Sequence, residues 1–195
     1  MAIISKKYLN ELVDKRIISS SFRMNESNRI DNDTKKYQIF FSYSYPDKEY
    51  AIKLVNLLEK CGFSVYIDLR DPALSRAKET DRQTIERIAK IMNRCKSLIY
   101  MHTASAKTSK WCPWELGYVS GRTNFRCATI LLVNDTEDFP RQEYLEAYPY
   151  LDYAKCSNSD KYTFWVNDLD NKNLYVALED FIEQGKNPYK HKEEF

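Results

Sequence analysis

The sequence contains few of the residues that mark several protein classes. Only 4 glycines and 6 prolines occur among 195 residues, which excludes collagen-like, linker-like and glycine-rich disordered chains. No apolar run approaches the length of about 18 residues that spans a membrane, so we expect no membrane partner. Residues 1–7 hold neither a long apolar run nor a small-residue cleavage site, so a signal peptide is not expected. The formal net charge is only +2 and no basic stripe is present, so nucleic acid is not an expected partner.

Cysteine and histidine are too sparse and too scattered for a metal site. The 5 cysteines are odd in number and form no C-x-x-C pair, which excludes a disulfide framework and a zinc site. The 2 histidines, His102 and His191, cannot build a site of several histidines. We therefore expect a reducing, cytoplasmic location, with no metal and no bound cofactor.

Glycine-rich catalytic motifs are also absent. The sequence has no GxxxxGK[ST] or GxGxxG segment that would hold a nucleotide, and no GxSxG nucleophile turn. Aromatic residues, by contrast, make up 14% of the chain and include 15 tyrosines. Aromatic side chains fill cores and also stack on flat ligands. The chemistry that remains is a carboxylate site with aromatic walls.

From residue 37 onward, short apolar runs alternate with helical patterns. Polar or glycine-containing segments bound each run, as is typical of buried strands. The pattern predicts an α/β fold with a central parallel sheet of about five strands and helices on both faces. The predicted strands are Tyr37–Tyr43, Phe63–Ile67, Ser97–Met101, Ala128–Val133 and Tyr162–Val166. The predicted helices cover 47–60, 85–92, 113–121 and 174–182, with a shorter one near 141–148.

The predicted organisation has three parts. Residues 37–185 form the domain, residues 186–195 form a charged tail, and residues 1–36 form an N-terminal extension. Within the extension we predict a short amphipathic helix over 5–18, which packs on the domain through Tyr8, Leu12 and Ile17. A polar linker follows at 19–36. The extension either covers an exposed face of the domain or mediates self-association.

Ligands of parallel α/β sheets bind where the strands end, so the loops after the predicted strands form the functional edge. The most specific segment there is Ser109–Gly117, with the sequence SKWCPWELG. Trp111 and Glu115 are four residues apart and share one face of the predicted helix, near its N-terminus. The helix dipole favours a carboxylate at that end. The alternative is a surface glutamate beside a core tryptophan.

Two further segments follow predicted strands at the same edge. Ser42, Tyr43 and Ser44 lie where the first strand breaks into a loop, and their hydroxyl groups could meet a ligand. The alternative is a serine cap on the following helix. Asp68 and Arg70 come after the second strand, where Arg70 could meet a phosphate. The alternative is a solvated polar loop.

Three segments, in this order, resemble a known family. Tyr37–Asp47 resembles the first conserved box of TIR (Toll/interleukin-1 receptor) domains, and Gly62–Asp68, GFSVYID, resembles their second strand entering the BB loop. Ser109–Gly117 resembles the W-x-x-x-E segment of NAD-consuming TIR enzymes. The resemblance covers residues 37–185 and implies a flavodoxin-like TIR fold. The short chain also resembles the bacterial TIR proteins of Thoeris-type antiphage systems, which make a cyclic ADP-ribose-like signal for a separate effector.

The resemblance implies an enzyme that cleaves the nicotinamide–ribose bond of NAD and releases nicotinamide with ADP-ribose or a cyclic ADP-ribose-type product. It implies that Glu115 is the catalytic carboxylate, that NAD is a substrate, and that other TIR domains are partners through self-association. It also implies that the loop Asp68–Glu79 is mobile in an isolated chain and ordered in an assembly. The implied substrate-binding residues are Trp111, Ser42, Tyr43, Ser44, Asp68 and Arg70.

Two other interpretations stay open. A TIR domain can act only by binding other TIR domains, without catalysis, although adaptors of that kind usually lack a carboxylate at the position of Glu115. Another N-glycosyl enzyme on a similar sheet, such as a nucleoside deoxyribosyltransferase, also uses a glutamate. Analysis of the products after incubation with NAD would distinguish the three.

Overall fold

A nine-stranded sheet forms the centre of the described structure. The computed structural model describes residues 4–21, 34–71, 74, 82–134, 142–156, 159–171 and 173–190. Within these ranges the sheet follows the order β3-β2-β4-β5-β6-β7-β8-β9, and β1 pairs with β5. The strands are β1 Ile4–Ser5, β2 Tyr37–Ser42, β3 Val65–Tyr66, β4 Cys95–His102, β5 Cys127–Val133, β6 Tyr150–Lys155, β7 Tyr162–Asn167, β8 Leu174–Ala177 and β9 Tyr189–Lys190.

The half of the sheet that carries the functional edge is parallel, as predicted. β2 pairs in parallel with β3 and with β4, and β5 continues the parallel set with β4, β6 and β1. The carboxyl ends of β2, β3, β4 and β5 therefore lie at one edge. Beyond β6 the pairing is antiparallel. The predicted strand Tyr162–Val166 exists as β7, but it is antiparallel because it returns as a hairpin from β6, which the sequence pattern does not predict.

Five helices occur among the described residues, and none of them is both long and apolar enough to cross a membrane. The predicted helix over 174–182 begins only at Leu178, because Leu174–Ala177 pairs with β7 as β8. Near 141–148 the described residues form a 3-10 turn instead of a helix. The helices are α1 Lys6–Asp14, α2 Lys48–Lys60, α3 Arg82–Met92, α4 Trp111–Thr123 and α5 Leu178–Glu183, and the 3-10 turns are Tyr45–Asp47, Asp68–Arg70, Ser105–Thr108 and Glu143–Ala147.

The core lies on both faces of the sheet. One cluster of buried apolar side chains joins the sheet to α1, α2 and α5, and a second joins it to α3 and α4. Seven apolar residues of the predicted strands each expose 4% of their surface or less, which confirms that these apolar runs are buried. These residues are Ile39, Phe41, Val65, Ile67, Leu98, Ile130 and Leu132.

The N-terminal segment adds a strand to the sheet. β1 pairs in parallel with β5, with Ile4 opposite Leu132. Ser5 then caps α1, because its side chain accepts a hydrogen bond at 3.0 Å from the backbone N–H of Tyr8. The chain therefore passes directly from the sheet into a helix, and the sequence pattern does not predict this strand.

The predicted packing of the N-terminal helix is confirmed. Leu9 and Leu12 are buried, and Tyr8 and Ile17 pack against the same cluster of core residues. The helix is shorter than predicted and ends at Asp14. Residues 22–33 of the predicted polar linker lie outside the described residues.

Of the predicted loop 68–79, only residues 68–71 and 74 are described. Its first part is fixed by Asp71, whose carboxylate accepts hydrogen bonds from Arg87 Nε at 2.9 Å and Nη2 at 3.0 Å. The Tyr66 hydroxyl donates a third hydrogen bond to Asp71 at 3.2 Å. The mobility predicted for the rest of the loop falls outside the described residues and stays a prediction.

Candidate functional site

A cavity of about 590 Å³ opens at the carboxyl edge of the parallel strands. Pockets of about 300–1,000 Å³ are typical of small-molecule sites. The walls come from the loop after β2, the turn after β3, α3, and the loop that leads into α4. Five residues predicted for the site share this cavity, as the position of the functional edge predicts. The described lining residues are Tyr43, Ser44, Tyr45, Pro46, Asp68, Leu74, Thr84, Ile88, Thr108, Ser109, Lys110, Trp111 and Glu115.

Glu115 lines the cavity from α4 and is held by the last residue of β2. The Ser42 hydroxyl donates a hydrogen bond to Glu115 Oε2 at 2.6 Å. Ser42 is only 1% exposed, whereas Glu115 is half-buried. A short hydrogen bond to a carboxyl oxygen restricts the rotation of that group. The structure thus places Ser42 as a partner of Glu115, and Ser42 does not itself line the cavity.

Burial makes Glu115 a weaker acid than an ordinary glutamate. The net pKa of Glu115 is raised to about 8: burial raises it, the hydrogen bond from Ser42 lowers it, and the nearby Asp68 adds a smaller increase. Burial also raises the pKa of Asp68, and the nearby Tyr43 hydroxyl group opposes that increase. At neutral pH, Glu115 is therefore mainly protonated when no cation lies beside it. A positive charge placed in the cavity favours its ionised form.

Tyr43 brings a hydroxyl group to the cavity beside Asp68. Burial and the Asp68 carboxyl raise the pKa of Tyr43, so the phenol stays protonated. Although this hydroxyl lies near Asp68, no atom of the described residues meets it at full hydrogen-bond geometry. Tyr43 therefore offers a buried donor to a ligand in the cavity.

Trp111 lines the cavity one helical turn before Glu115, as the spacing of four residues predicts. Its ring meets Trp114 edge to face, with the ring centroids 5.5 Å apart and an interplanar angle of 87°. Trp114 in turn lies 5.8 Å from the ring centroid of Tyr118. These contacts along α4 support the Trp111 ring as one wall of the cavity.

Arg70 forms an ion pair with a carboxylate on α2. Its guanidinium donates two hydrogen bonds to the Glu59 carboxylate on α2, of which Nη2 to Oε2 measures 2.9 Å. The planar guanidinium matches a carboxylate in such a paired contact. Arg70 does not line the cavity. The structure therefore places Arg70 with Glu59 and not among the lining residues, and its contact with a phosphate stays a prediction.

The cavity also holds residues that the sequence patterns do not single out. Lys110 is the one cationic side chain among the described lining residues. Lys110 directly precedes Trp111 in the segment SKWCPWELG, and this position is the feature of the sequence that could have indicated a lysine in the site. Tyr45, which is 66% exposed, lies at the rim. Thr84 and Ile88 reach the cavity from α3, which only the tertiary fold reveals.

Side-chain hydrogen bonds join two of the loops that line the cavity. Thr103, directly after β4, donates its hydroxyl to Asp47 Oδ2 at 2.6 Å, and both residues are buried. The Ser44 hydroxyl donates to the backbone carbonyl of Ser105 at 3.4 Å. The loop after β2 and the loop after β4 thus restrain each other.

The carboxyl edge of the parallel strands thus carries Glu115 near the start of α4 and Trp111 one turn before it. The chain belongs to the TIR domain family, whose model matches residues 39–166. The match begins in β2 and ends in β7, so it includes Glu115 and Trp111. β1 and α1 precede it.

Two curated proteins are similar to this chain. A Bacillus cereus (strain MSX-D12) protein described as a probable 3' cyclic ADP-D-ribose synthase, ThsB', is 30% identical over 172 residues, which cover 87% of this chain and 84% of that protein. A Cytobacillus dafuensis protein described as a candidate cyclic ADP-D-ribose synthase, TIR2, is 28% identical over 94 residues, which cover 48% of this chain and 24% of that protein.

Two solved structures resemble the fold at 18% identity. One is the TIR domain of the Toll-related receptor TRR-2 from Hydra magnipapillata, with a TM-score of 0.46 over 59% of this chain and 82% of that chain. The other is a metazoan TIR-STING receptor from C. gigas, with a TM-score of 0.40 over 55% of this chain and 34% of that chain.

Proposed function

We propose that this TIR domain protein is an enzyme that cleaves the nicotinamide–ribose bond of NAD, releasing nicotinamide and forming ADP-ribose or a cyclic ADP-ribose-type product. One observation carries the proposal: the Glu115 carboxyl group, oriented by Ser42, shares a ligand-sized cavity with Trp111 at the functional edge of the sheet. The similarity to two proteins described as cyclic ADP-D-ribose synthases supports the cyclic product.

Cleavage of the nicotinamide–ribose bond requires no protonation of the leaving group. The nicotinamide ring is cationic in NAD and leaves as a neutral molecule, so no general acid is needed. Positive charge develops on the ribose in an oxocarbenium-like transition state, and a fixed carboxylate beside it lowers the barrier. Glu115 supplies that carboxylate in the proposed mechanism. Water as the acceptor gives ADP-ribose, whereas the substrate's own adenine or ribose as the acceptor gives a cyclic product.

The raised pKa of Glu115 suits a substrate that carries its own positive charge. With a pKa of about 8, the acid is mainly neutral at pH 7 before NAD binds. A cationic nicotinamide ring next to it stabilises the carboxylate and lowers the pKa. Glu115 therefore loses its proton to solvent as NAD binds, and the carboxylate is in place when positive charge moves onto the ribose.

The charges around the cavity favour one orientation of NAD. Lys110 is positive, whereas Asp68 and Glu115 are acidic. We place the anionic diphosphate at Lys110 and the nicotinamide ribose at Glu115. Trp111 presents an aromatic ring, which attracts a cationic nicotinamide. The hydroxyl of Tyr43 is a donor for the ribose or phosphate oxygens.

The biological role that we propose is signalling in antiphage defence. The resemblance to Thoeris-type TIR proteins and the similarity to ThsB' support it. In this role a separate effector senses the cyclic product, and self-association with other TIR domains completes the active site. A cytoplasmic location suits the use of NAD, and the five cysteines, all of which are described, form no disulfide.

The test is incubation of the purified chain with NAD, followed by separation and mass analysis of the products. We expect nicotinamide together with ADP-ribose or one of its cyclic forms. Absence of nicotinamide release at every protein concentration would overturn the proposal and favour a non-catalytic TIR module. Cleavage of nucleosides without cleavage of NAD would instead favour a nucleoside deoxyribosyltransferase-like enzyme.

A further inference from the structure

The N-terminal segment reaches the same edge of the sheet as the cavity. β1 is parallel to β5, and its last residue, Ser5, lies opposite Val133, the last residue of β5. Because the carboxyl ends of parallel strands share an edge, the residue after β1 lies at the functional edge. That residue is Lys6, which begins α1.

Lys6 meets the buried acid that ends the loop after β2. Its Nζ lies 3.9 Å from Asp47 Oδ1 and 5.0 Å from the centroid of the Tyr50 ring. The Asp47 side chain is only 7% exposed, and in the described part of the chain its ion pair is with Lys6. A carboxylate removed from water needs a positive charge nearby, since desolvation penalises the ionised form. Lys6 supplies that charge.

The other carboxylate oxygen of Asp47 links the two loops of the cavity. Asp47 Oδ2 accepts the hydrogen bond from the Thr103 hydroxyl at 2.6 Å. The Thr103 hydroxyl in turn accepts one from the backbone N–H of Ala106 at 3.1 Å. On its own loop, the backbone N–H of Asp47 donates to the Ser44 carbonyl at 2.9 Å. Asp47 is therefore bonded to both chain segments, and its charge is balanced from α1.

We propose that Lys6 is a positioning residue, which acts through Asp47 and Thr103 to hold the loops after β2 and β4 in the relative position that forms the NAD cavity. Through these contacts the N-terminal segment supports the site, although it precedes the residues matched by the family model. The identity of the substrate rests on the proposed function, whereas the coupling of the loops to Lys6 rests on the contacts alone.

The test compares Lys6→Met with Lys7→Met in the full chain. Methionine keeps the apolar stem and removes the charge, and Lys7 is the exposed neighbour on the same helix, which makes it a matched control. We expect Lys6→Met to raise KM for NAD about tenfold with kcat within about twofold, because a positioning contact changes binding more than chemistry. Lys7→Met should leave both constants unchanged.

Backbone hydrogen exchange gives a readout that needs no turnover. In Lys6→Met, amides of segments 43–47 and 103–110 should exchange about tenfold faster, while those of β5 keep their protection. Lys7→Met should exchange as the unmodified chain does. If the protein does not cleave NAD, the proposed function fails, while this comparison still decides the role of Lys6.

An Asp47→Asn background tests the route of the coupling. Asparagine keeps an oxygen that can accept from Thr103, but it offers Lys6 no charge. Lys6→Met should then add no further change in exchange or KM, since residues in one network are not additive. Additive effects would overturn the proposal. So would equal behaviour of Lys6→Met and Lys7→Met, or faster exchange spread over the whole chain, which marks a general loss of stability.

Discussion

The hydrogen bond from Ser42 to Glu115 opposes the effect of burial on the same carboxyl group. Burial favours the neutral acid and raises the pKa to about 8, whereas the Ser42 hydroxyl stabilises the ionised form. The proposed mechanism uses the ionised form. Substitutions at these two residues therefore separate the contributions of charge, hydrogen bonding and burial.

Replacement of Glu115 by glutamine should nearly abolish nicotinamide release. Glutamine keeps the size of the side chain but lacks the charge that stabilises the ribosyl cation. The loss of one electrostatic contact of roughly 3–4 kcal/mol slows turnover by about two to three orders of magnitude. Glu49→Gln, the same change at an exposed position of α2, is the control. Near-normal release by Glu115→Gln would remove this residue from the mechanism.

The pH dependence of kcat/KM should report the ionisation of Glu115. Because the carboxylate is the active form, we expect kcat/KM to rise with pH through a midpoint near 8. Ser42→Ala removes a hydrogen bond that favours the carboxylate, so the midpoint should move to higher pH by about one unit. Ser97→Ala is the control, since this buried serine donates to the Gln38 carbonyl at 2.7 Å. An unchanged midpoint in Ser42→Ala would contradict the coupling.

Glu115→Gln should also stabilise the fold at alkaline pH. The pKa of Glu115 rises from an ordinary value of 4.5 to about 8 on folding, so the folded state binds the proton more tightly. The stability of the unmodified chain therefore falls as pH rises between these values and stays low above them. Thermal unfolding should give a higher Tm for Glu115→Gln at about pH 9 and equal Tm values at about pH 4. Equal Tm values at both pH values would argue against a neutral Glu115 in the folded state.

At the scale of secondary-structure elements, apolar runs identify the parallel strands because both faces of those strands are buried. β5, with the sequence CATILLV, shows this most clearly. The pattern is wrong at Leu174–Ala177, where four residues suit either a strand or the start of a helix, and only pairing with β7 decides. β1 has two residues, too few for any periodicity to reveal.

The candidate site is predictable where its residues are close in sequence. Trp111 and Glu115 follow from their spacing on one helix. The contact between Ser42 and Glu115 joins residues 73 positions apart and depends on how α4 packs beside β2. The pairing of Arg70 with Glu59 joins residues 11 positions apart, and nothing in the local pattern indicates it.

Two glycines of α4 should be replaceable with a gain in stability. Gly117 and Gly121 are exposed, and an added Cβ at either would meet no described atom within 4 Å. Alanine in a helix interior is favoured over glycine by about 0.5–1 kcal/mol, so each substitution should raise Tm by about 1–4 °C. Gly62→Ala is the contrasting variant, since φ is +97° at Gly62 and alanine is strained there. A lower Tm for Gly117→Ala and Gly121→Ala would mean that another molecule packs on this side of α4.

At the scale of the whole molecule, we expect activity to depend on protein concentration. The resemblance to TIR enzymes implies that the segment Asp68–Glu79 of one copy helps to complete the site of its neighbour. Association follows mass action, so nicotinamide release per molecule should rise across a dilution series of about 1,000-fold. An inert protein that keeps total protein constant controls for losses at surfaces. A constant specific activity over the series would contradict assembly as a requirement.

The pairing of β1 with β5 also sets the order of events during synthesis. Leu132 follows its partner Ile4 by 128 residues. At translation rates of about 5–20 residues per second, β5 leaves the ribosome roughly 6–26 s after β1. Ile4, Leu9 and Leu12, all buried in the native protein, have no completed sheet to cover them during that interval. The nascent chain thus exposes an apolar N-terminus to chaperones and proteases until its fifth strand emerges.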